Sequence, residues 1–380
     1  MRIVIEEPMH NEGRGGVSVY TRSLLSRLAV LAPEDEFVLF SYFFRERERR
    51  TARLRPGPGE RWTNWTPRVP ESLVSRLEWD WGLAPTGRYL RARGGDLFHT
   101  QRTPRVKLLP TVVTIHDLFP AVHPEWVSPF TYEQCERILR PGMERVDRVI
   151  AVSAHTKQDI VERWGVAPER VTVIHEGVDR GVFHPSTPER IAQVRAAHAL
   201  PARFVLMVGP FDPWCDPGAV LEAASRLPAS LKDVGIVFAG NPGSVGEAVR
   251  RRAAELGLTE RCRWPGFVPH SDLVAFYGAA DALVYPSLYE GFGLPILEAM
   301  ACGTPVITSD RSSMPEVAGD AAILVDPTDS EAVRAALVAV LDDGGKRADL
   351  RERGLARAAQ LTWEEAARRT LAVYDSLLGR

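Results

Sequence analysis

The chain has 380 residues, enough for two domains of ordinary size. Hydrophobic residues make up 45% and charged residues 25%, a balance that builds a full core and excludes a disordered chain. The net charge of −2 gives no overall attraction to nucleic acid, and no apolar run approaches the roughly 20 residues of a membrane-crossing helix.

The basic residues are almost all arginine, with only Lys107, Lys157, Lys232 and Lys346 as lysines, a bias that fits a GC-rich bacterial genome. Cys135, Cys215, Cys262 and Cys302 are scattered without a C-x-x-C pair. That spacing argues against a disulfide framework or structural zinc and for a reducing cytoplasm. The start, Met1-Arg2-Ile3-Val4-Ile5-Glu6-Glu7, reads as a strand followed by acids and not as a signal peptide.

Arg2 to Glu6 is a buried first strand. Asn11-Glu12-Gly13-Arg14-Gly15-Gly16-Val17 follows, then an amphipathic run from Val19 to Leu31 with Leu24, Leu25, Leu28 and Leu31 at helical spacing. Strand, glycine loop and helix together make a phosphate cradle. The loop narrowly misses the dinucleotide fingerprint, because Ser18 stands where the third glycine belongs. The second strand, Phe37 to Phe40, ends in Ser41-Tyr42 and not in an acid, which argues against a dehydrogenase.

Residues 43–61 are dense in Arg and Glu and read as a mixed-charge surface helix. The functional alternative is a basic edge that meets anionic lipid or a pyrophosphate-linked acceptor, a peripheral contact at the inner face of the membrane. Trp62, Trp65, Trp79 and Trp81 follow and either line an acceptor groove or pack. Thr111 to Ile115 is a strand ending in His116-Asp117; a histidine there is a core or capping residue, or it lies where α/β folds place ligands. A strand at Val149–Ser153, a helix from His155 to Trp164 and a strand at Val171–Ile174 complete this half.

The pattern breaks near Phe183-His184-Pro185. The first domain is therefore placed at 1–183, a linker at 184–200 and a second domain at 201–362. Strands at Phe204–Val208, Gly235–Ala239, Ala282–Tyr285, Val306–Ile307 and Ile323–Val325 alternate with helical runs, the signature of a second doubly wound sheet. The last run, Trp363 to Leu378, is amphipathic.

The chain is organised around Tyr289 to Pro305. A strand closed by Pro286 leads into Glu290-Gly291-Phe292-Gly293-Leu294-Pro295, with Gly291 and Gly293 expected at φ > 0 and Pro295 at the first helical position. Gly303 suits the helix C-terminus and Pro305 lies just beyond it. The helix N-terminus suits phosphate. Glu290 and Glu298, expected about one turn into the helix, suit hydroxyls, because an ionised carboxylate only accepts hydrogen bonds. A phosphate core with hydroxyls at both ends describes a nucleotide sugar.

Glu290 to Glu298 is an E-x7-E motif, and the stretch through Gly303-Thr304-Pro305 resembles the donor site of GT-B fold glycosyltransferases of family 4. The glycine pair Gly15-Gly16, the segment Thr114-Ile115-His116-Asp117, the segment His175-Glu176-Gly177-Val178-Asp179 and the segment around Glu316 resemble the family too. Glu176 stands where the related pattern more often has asparagine.

The resemblance implies two Rossmann-like doubly wound parallel-sheet domains facing across a cleft, with the last helix (363–380) packed back on the first domain. It implies a retaining, metal-independent transferase that takes a nucleotide-diphosphate sugar as donor substrate, uses no cofactor and glycosylates a hydroxyl of a glycan, lipid-linked or small-molecule acceptor. Glu290 and His116 would act at the transferred sugar. Gly15, Gly16, Gly209, Gly291, Phe292, Gly293, Leu294 and Glu298 would bind the donor.

One departure stands out. The related segment V-G-x-x-x-P-R-K-N supplies an arginine and a lysine to the donor diphosphate. Here Val208-Gly209-Pro210-Phe211-Asp212-Pro213-Trp214-Cys215-Asp216 puts Trp214 and Cys215 in those places. Two departing phosphates need positive charge, and the chain has no D-x-D pair for a divalent ion. Arg14 is the candidate substitute. Without one, the chain reads as a non-catalytic or unusual-donor relative.

Overall fold

The computed structural model describes residues 1–7, 15–42, 56, 61–104 and 106–380. They form two compact units, Met1–Glu176 with Trp363–Arg380, and Gly177–Thr362.

The first unit holds a sheet of seven strands: β1 (Arg2–Glu6), β2 (Glu36–Phe40), β3 (Thr63–Trp65), β4 (Leu97–Thr100), β5 (Thr111–Ile115), β6 (Arg148–Ala151) and β7 (Val171–Val173). Their order is β3-β2-β1-β4-β5-β6-β7, all parallel. Ile3 pairs with Phe37 on one side and Leu97 on the other. β1, β2, β4 and β5 are apolar and buried almost throughout, because helices cover both faces of a parallel sheet. The helix Gly16–Leu31 packs on the last helix, Trp363–Leu378. That last helix donates Tyr374 to the core, where its hydroxyl meets His99 Nδ1 at 2.5 Å.

The second unit has six parallel strands: β8 (Phe204–Pro210), β9 (Gly235–Asn241), β10 (Cys262–Gly266), β11 (Ala282–Tyr285), β12 (Val306–Ser309) and β13 (Ile323–Val325), in the order β10-β9-β8-β11-β12-β13. The order reverses between β8 and β11. In doubly wound sheets that crevice, outside the carboxyl ends of the strands, is where ligands bind.

Both sheets fit the expected α/β architecture of the GT-B fold, but the expected limits move. The second unit begins at Gly177, not after residue 183, and no linker fills 184–200. Residues Pro188–Ala197 form a helix capped by Thr187, whose hydroxyl accepts from Arg190 N–H. Arg190 and His198 both bond Asp272 and tie this helix to its own unit. The helix reads as a break because only Val194 on it is fully buried.

Candidate active site

In the second unit, β8 and β11 each run into a loop at the point of reversal. The loop after β11 carries Glu290 and ends at Gly293, whose φ of 103° and ψ of 52° cap the helix Leu294–Ala301. Only glycine takes that conformation without cost. Gly291, expected at φ > 0, is not among the positive-φ residues. Leu294 opens the helix, so Pro295 is its second residue and Glu298 lies beyond the first turn.

The loop is braced from the segment after β12. Ser312 Oγ donates to Glu290 O at 2.6 Å and accepts from Glu290 N–H at 3.1 Å. Ser313 Oγ reaches the carbonyls of Glu290 and Phe292, both at 2.9 Å. Phe292 is itself buried, so its side chain anchors the loop in the core and leaves only backbone for a ligand.

Each carboxylate is held by a tyrosine. Tyr285 OH donates to Glu290 Oε1 at 2.8 Å, and Tyr277 OH donates to Glu298 Oε2 at 2.8 Å. Burial first, then the adjacent carboxylates, push both phenols well above their ordinary range and keep them as donors. Burial raises Glu298 to about 7, partly offset by the Tyr277 hydrogen bond. Glu298 is therefore protonated in a good fraction of molecules near neutral pH.

The loop after β8 touches this one directly: Leu288 N–H donates to Trp214 O at 2.7 Å. Trp214 and Cys215 form a short 3-10 turn. Cys215 is buried, donates from Sγ to Pro210 O at 3.2 Å, and is raised by burial and by the Glu290 charge, so it is a packed thiol. Asp216, at φ 41°, caps the next helix by accepting from Ala219 N–H at 3.1 Å. Gly209 lies at the end of β8, where the carbonyl oxygen of Gly209 would sit 1.7 Å from a Cβ added at Gly240. Of the loops that follow the strands of this unit, the one after β12 brings an arginine, Arg311, and it pairs with Asp326 at 2.7 Å.

In the first unit, His116 follows β5. Its Nδ1 lies 3.0 Å from Glu176 Oε1 and its Nε2 lies 2.9 Å from Gln101 Oε1. Tyr20 packs edge-on against the imidazole at a centroid distance of 4.8 Å. A cavity of about 1130 Å³ opens beside it, lined by Leu90, Phe98, Leu108, Phe130, Ile138 and Trp164 among others, with Glu6, Glu71 and Arg102 as a charged cluster in its wall. Arg102 pairs with both Glu6 and Glu71. Gly15 is the extended cap of the helix Gly16–Leu31, and a Cβ added at Gly16 would meet open space. Arg14 lies outside the described residues, as does the basic stretch 43–61 apart from Pro56 and Arg61. Trp62, Trp65 and Trp81 do not line this cavity. Trp65 sits on the edge strand against Tyr89, with Arg2 and Arg93 over its ring.

The family profile described as Glycosyltransferase Family 4 matches residues 14–182, and that described as Glycosyl transferases group 1 matches residues 190–357. The O-antigen chain mannosyltransferase B of Escherichia coli is 31% identical over 274 residues, which cover 71% of each chain. The chain belongs to glycosyltransferase family 4. Among other members, the D-inositol 3-phosphate glycosyltransferase of Thermobispora bispora is 32% identical over 286 residues, 72% of this chain and 66% of that one. The match to the serotype-specific mannosyltransferase WbdA of E. coli, at 30% identity, spans 34% of that longer protein.

The GT-B fold is shared with the sucrose-phosphate synthase of Thermosynechococcus elongatus (TM-score 0.78, 24% identity, 100% and 99% of the two chains). It is shared also with Anabaena HepE in complex with UDP-glucose (TM-score 0.76, 20% identity, 99% and 100%). The chain is thus a glycosyltransferase by family. Its own geometry gathers Glu290, Gly291, Phe292, Gly293, Leu294 and Glu298 at one crevice with Trp214 and Cys215, and His116 in the other unit with Gln101 and Glu176. Sequence reasoning missed Tyr277, Tyr285, Ser312, Ser313 and Gln101. No local pattern marks them, since each is brought to its partner by topology.

Proposed function

We propose that the protein transfers a sugar, with retention and without a metal, from a nucleotide-diphosphate sugar to a hydroxyl of a glycan, lipid-linked or small-molecule acceptor. The observation that carries this reading is the loop of Glu290 to Gly293 leading into the helix that bears Glu298, at the point of strand reversal. In that role Glu290 accepts hydroxyls of the transferred sugar. Backbone N–H groups of the loop and the helix N-terminus face the diphosphate. Glu298 accepts the ribose hydroxyls. Gly15 and Gly16 bind the donor, and His116 supports the transferred sugar. The leaving phosphate takes the acceptor proton, which leaves the protein to position and to balance charge.

The first-unit cavity suits an acceptor with an apolar portion, its hydroxyls turned to the charged cluster of Glu6, Glu71 and Arg102. The O-antigen chain and the D-inositol 3-phosphate in the relatives' names make polysaccharide or glycoconjugate synthesis the natural setting. Residues 43–61 remain the proposed peripheral membrane contact; no helix among the described residues is long and apolar enough to cross a membrane.

The test is thermal unfolding with UDP, GDP, ADP and dTDP. A nucleotide at about 100 times its dissociation constant stabilises by roughly 2.7 kcal/mol, a shift of several degrees. One nucleotide should shift the melt and Glu298→Ala should abolish the shift. No shift with any of the four would overturn the donor site.

The state of Glu298 gives a second expected result. The ionised form accepts both ribose hydroxyls, so binding expels its proton. Nucleotide affinity should rise about tenfold per pH unit up to about 7 and then level off. The stability sign is opposite. Its folded value is raised above the unfolded one, near 4.3, so its contribution to the unliganded fold is full below that value and is lost as pH rises through about 7. Calorimetric titration from pH 5.5 to 8 reads the first effect, and Glu298→Gln should flatten it.

Restoring a cation should also help. Trp214→Arg keeps the backbone contact to Leu288 and adds a charge-assisted donor worth about 1.5–3 kcal/mol, so the nucleotide diphosphate should bind about tenfold tighter or more. Unchanged or weaker binding would show that this loop does not face the phosphates.

A further inference from the structure

We propose that the cavity of the first unit selects an uncharged acceptor, a sugar carried on an apolar group, and that Glu71 sets this choice by occupying the arginine that a phosphate would otherwise bind. The inference rests on the reading above, in which this cavity takes the acceptor, and it names the acceptor's class.

The ion-pair geometry carries it. Arg102 stands in the cavity wall. A guanidinium grips a phosphate through a fork of parallel N–H groups. Here both terminal nitrogens are already engaged: Nη2 pairs with Glu6 and Nη1 with Glu71. Glu6 belongs to β1, and its side chain is 6% exposed. Burial alone would raise its carboxyl, but Arg102 and the Thr100 hydroxyl hold it below the usual range. Glu6 is thus a fixed partner built into the sheet.

Glu71 is the partner that can be exchanged. It opens the helix Glu71–Trp79, and its side chain is 33% exposed. One carboxylate would balance the arginine. The second takes the remaining nitrogen and leaves this cluster with more carboxylates than cations. A phosphate entering here must displace Glu71 or lie against two carboxylates, and like charges set side by side cost several kcal/mol. Of the other described arginine and lysine side chains in the wall, Lys107 pairs with Asp147, and Arg76 is exposed to screening solvent.

What remains suits hydroxyls and apolar surface. Tyr42 and Thr86 also line the cavity, their hydroxyls 2.7 Å apart, and Thr86 donates to Glu78. Ionised carboxylates only accept hydrogen bonds, so this wall matches a ligand rich in O–H donors. Leu108, Ile138 and Leu139 supply apolar wall, and Phe130, 70% exposed, carries it to the surface. The volume of about 1130 Å³ lies above the roughly 300–1,000 Å³ of ordinary small-molecule sites, which leaves room for a sugar and an apolar group together.

The test is calorimetric titration of the full chain, without nucleotide, with n-octyl α-D-mannopyranoside, methyl α-D-mannopyranoside and n-octyl phosphate, the octyl compounds below their micellar concentrations. The wild type should bind octyl mannoside about tenfold tighter or more than octyl phosphate. Glu71→Gln and Glu71→Ala each remove the competing carboxylate and should strengthen octyl phosphate about tenfold or more. Phe130→Ala, at an exposed side chain, should weaken octyl mannoside about fivefold and leave methyl mannoside unchanged. Octyl phosphate that binds the wild type as tightly as octyl mannoside, or that gains nothing in both Glu71 variants, overturns the proposal. Octyl mannoside binding unchanged in Phe130→Ala would place the ligand outside this cavity and overturn it too. Binding of neither octyl compound overturns the acceptor reading of the cavity along with it. No nucleotide is present, so each of these failures is distinct from a failure of the donor site in the nucleotide melts above.

Discussion

Glu290→Ala should lower turnover by on the order of 100- to 1,000-fold while the protein melts close to the wild type. The magnitude is that of removing one preorganised group aimed at the reacting centre. The fold should survive because the loop is braced through the backbone: the N–H and carbonyl of residue 290 are held by Ser312 and Ser313 whatever the side chain. What alanine removes is the carboxylate that Tyr285 orients at 2.8 Å. The loss should fall on kcat more than on KM, since in the proposed reading the nucleotide half of the donor is held by the loop backbone and by Glu298. Steady-state kinetics with an established donor and acceptor pair is the measurement. Near-wild-type turnover would remove Glu290 from the reaction.

Gly240→Ala should destabilise the second unit by about 3 kcal/mol or more. A Cβ there would lie 1.7 Å from Gly209 O and 2.8 Å from Gly209 C, and the residue sits at φ 139°. Backbone cannot swing aside as a side chain does, and L residues rarely adopt that φ, so strain and overpacking add. For a unit of 186 residues (177 to 362), the melting temperature should fall by roughly 6–12 °C. Gly16→Ala is the contrast. A Cβ at Gly16 meets nothing within 4 Å, so the melt should hardly move. Weaker nucleotide binding in Gly16→Ala would then mark a glycine kept for a ligand's approach, whereas Gly240 is kept for the fold. Calorimetric melts of both variants decide this, and a stable Gly240→Ala would contradict the close approach of β8 and β9.

Much of this architecture is legible in the chain because parallel strands buried on both faces are continuous apolar runs. Thr111–Ile115 and Ala282–Tyr285 are bounded to the residue. Three strands escape: Thr63–Trp65 has three residues, none fully buried; Leu97–Thr100 is central and buried but has four residues, two of them polar; and Cys262–Gly266 mixes an arginine, a proline and a glycine. The helix Pro188–Ala197 escapes because one buried valine leaves almost no periodic signal.

The sequence by itself determined the chemistry on offer: two carboxylates eight residues apart around a glycine loop, a histidine after a buried strand, and a segment in which tryptophan and cysteine stand for two cations. Those are local facts, written within a few residues of one another. The tertiary structure decided who holds what. Tyr277 reaches Glu298 across 21 positions, Ser312 reaches Glu290 across 22, and Glu176 reaches His116 across 60. Such pairs are set by strand order and by burial, which raises Glu298 to about 7 and sets both ring nitrogens of His116 against acceptors. A glutamate at 176 reads along the chain as a mild exchange for asparagine. Only the folded unit makes it the partner of the histidine.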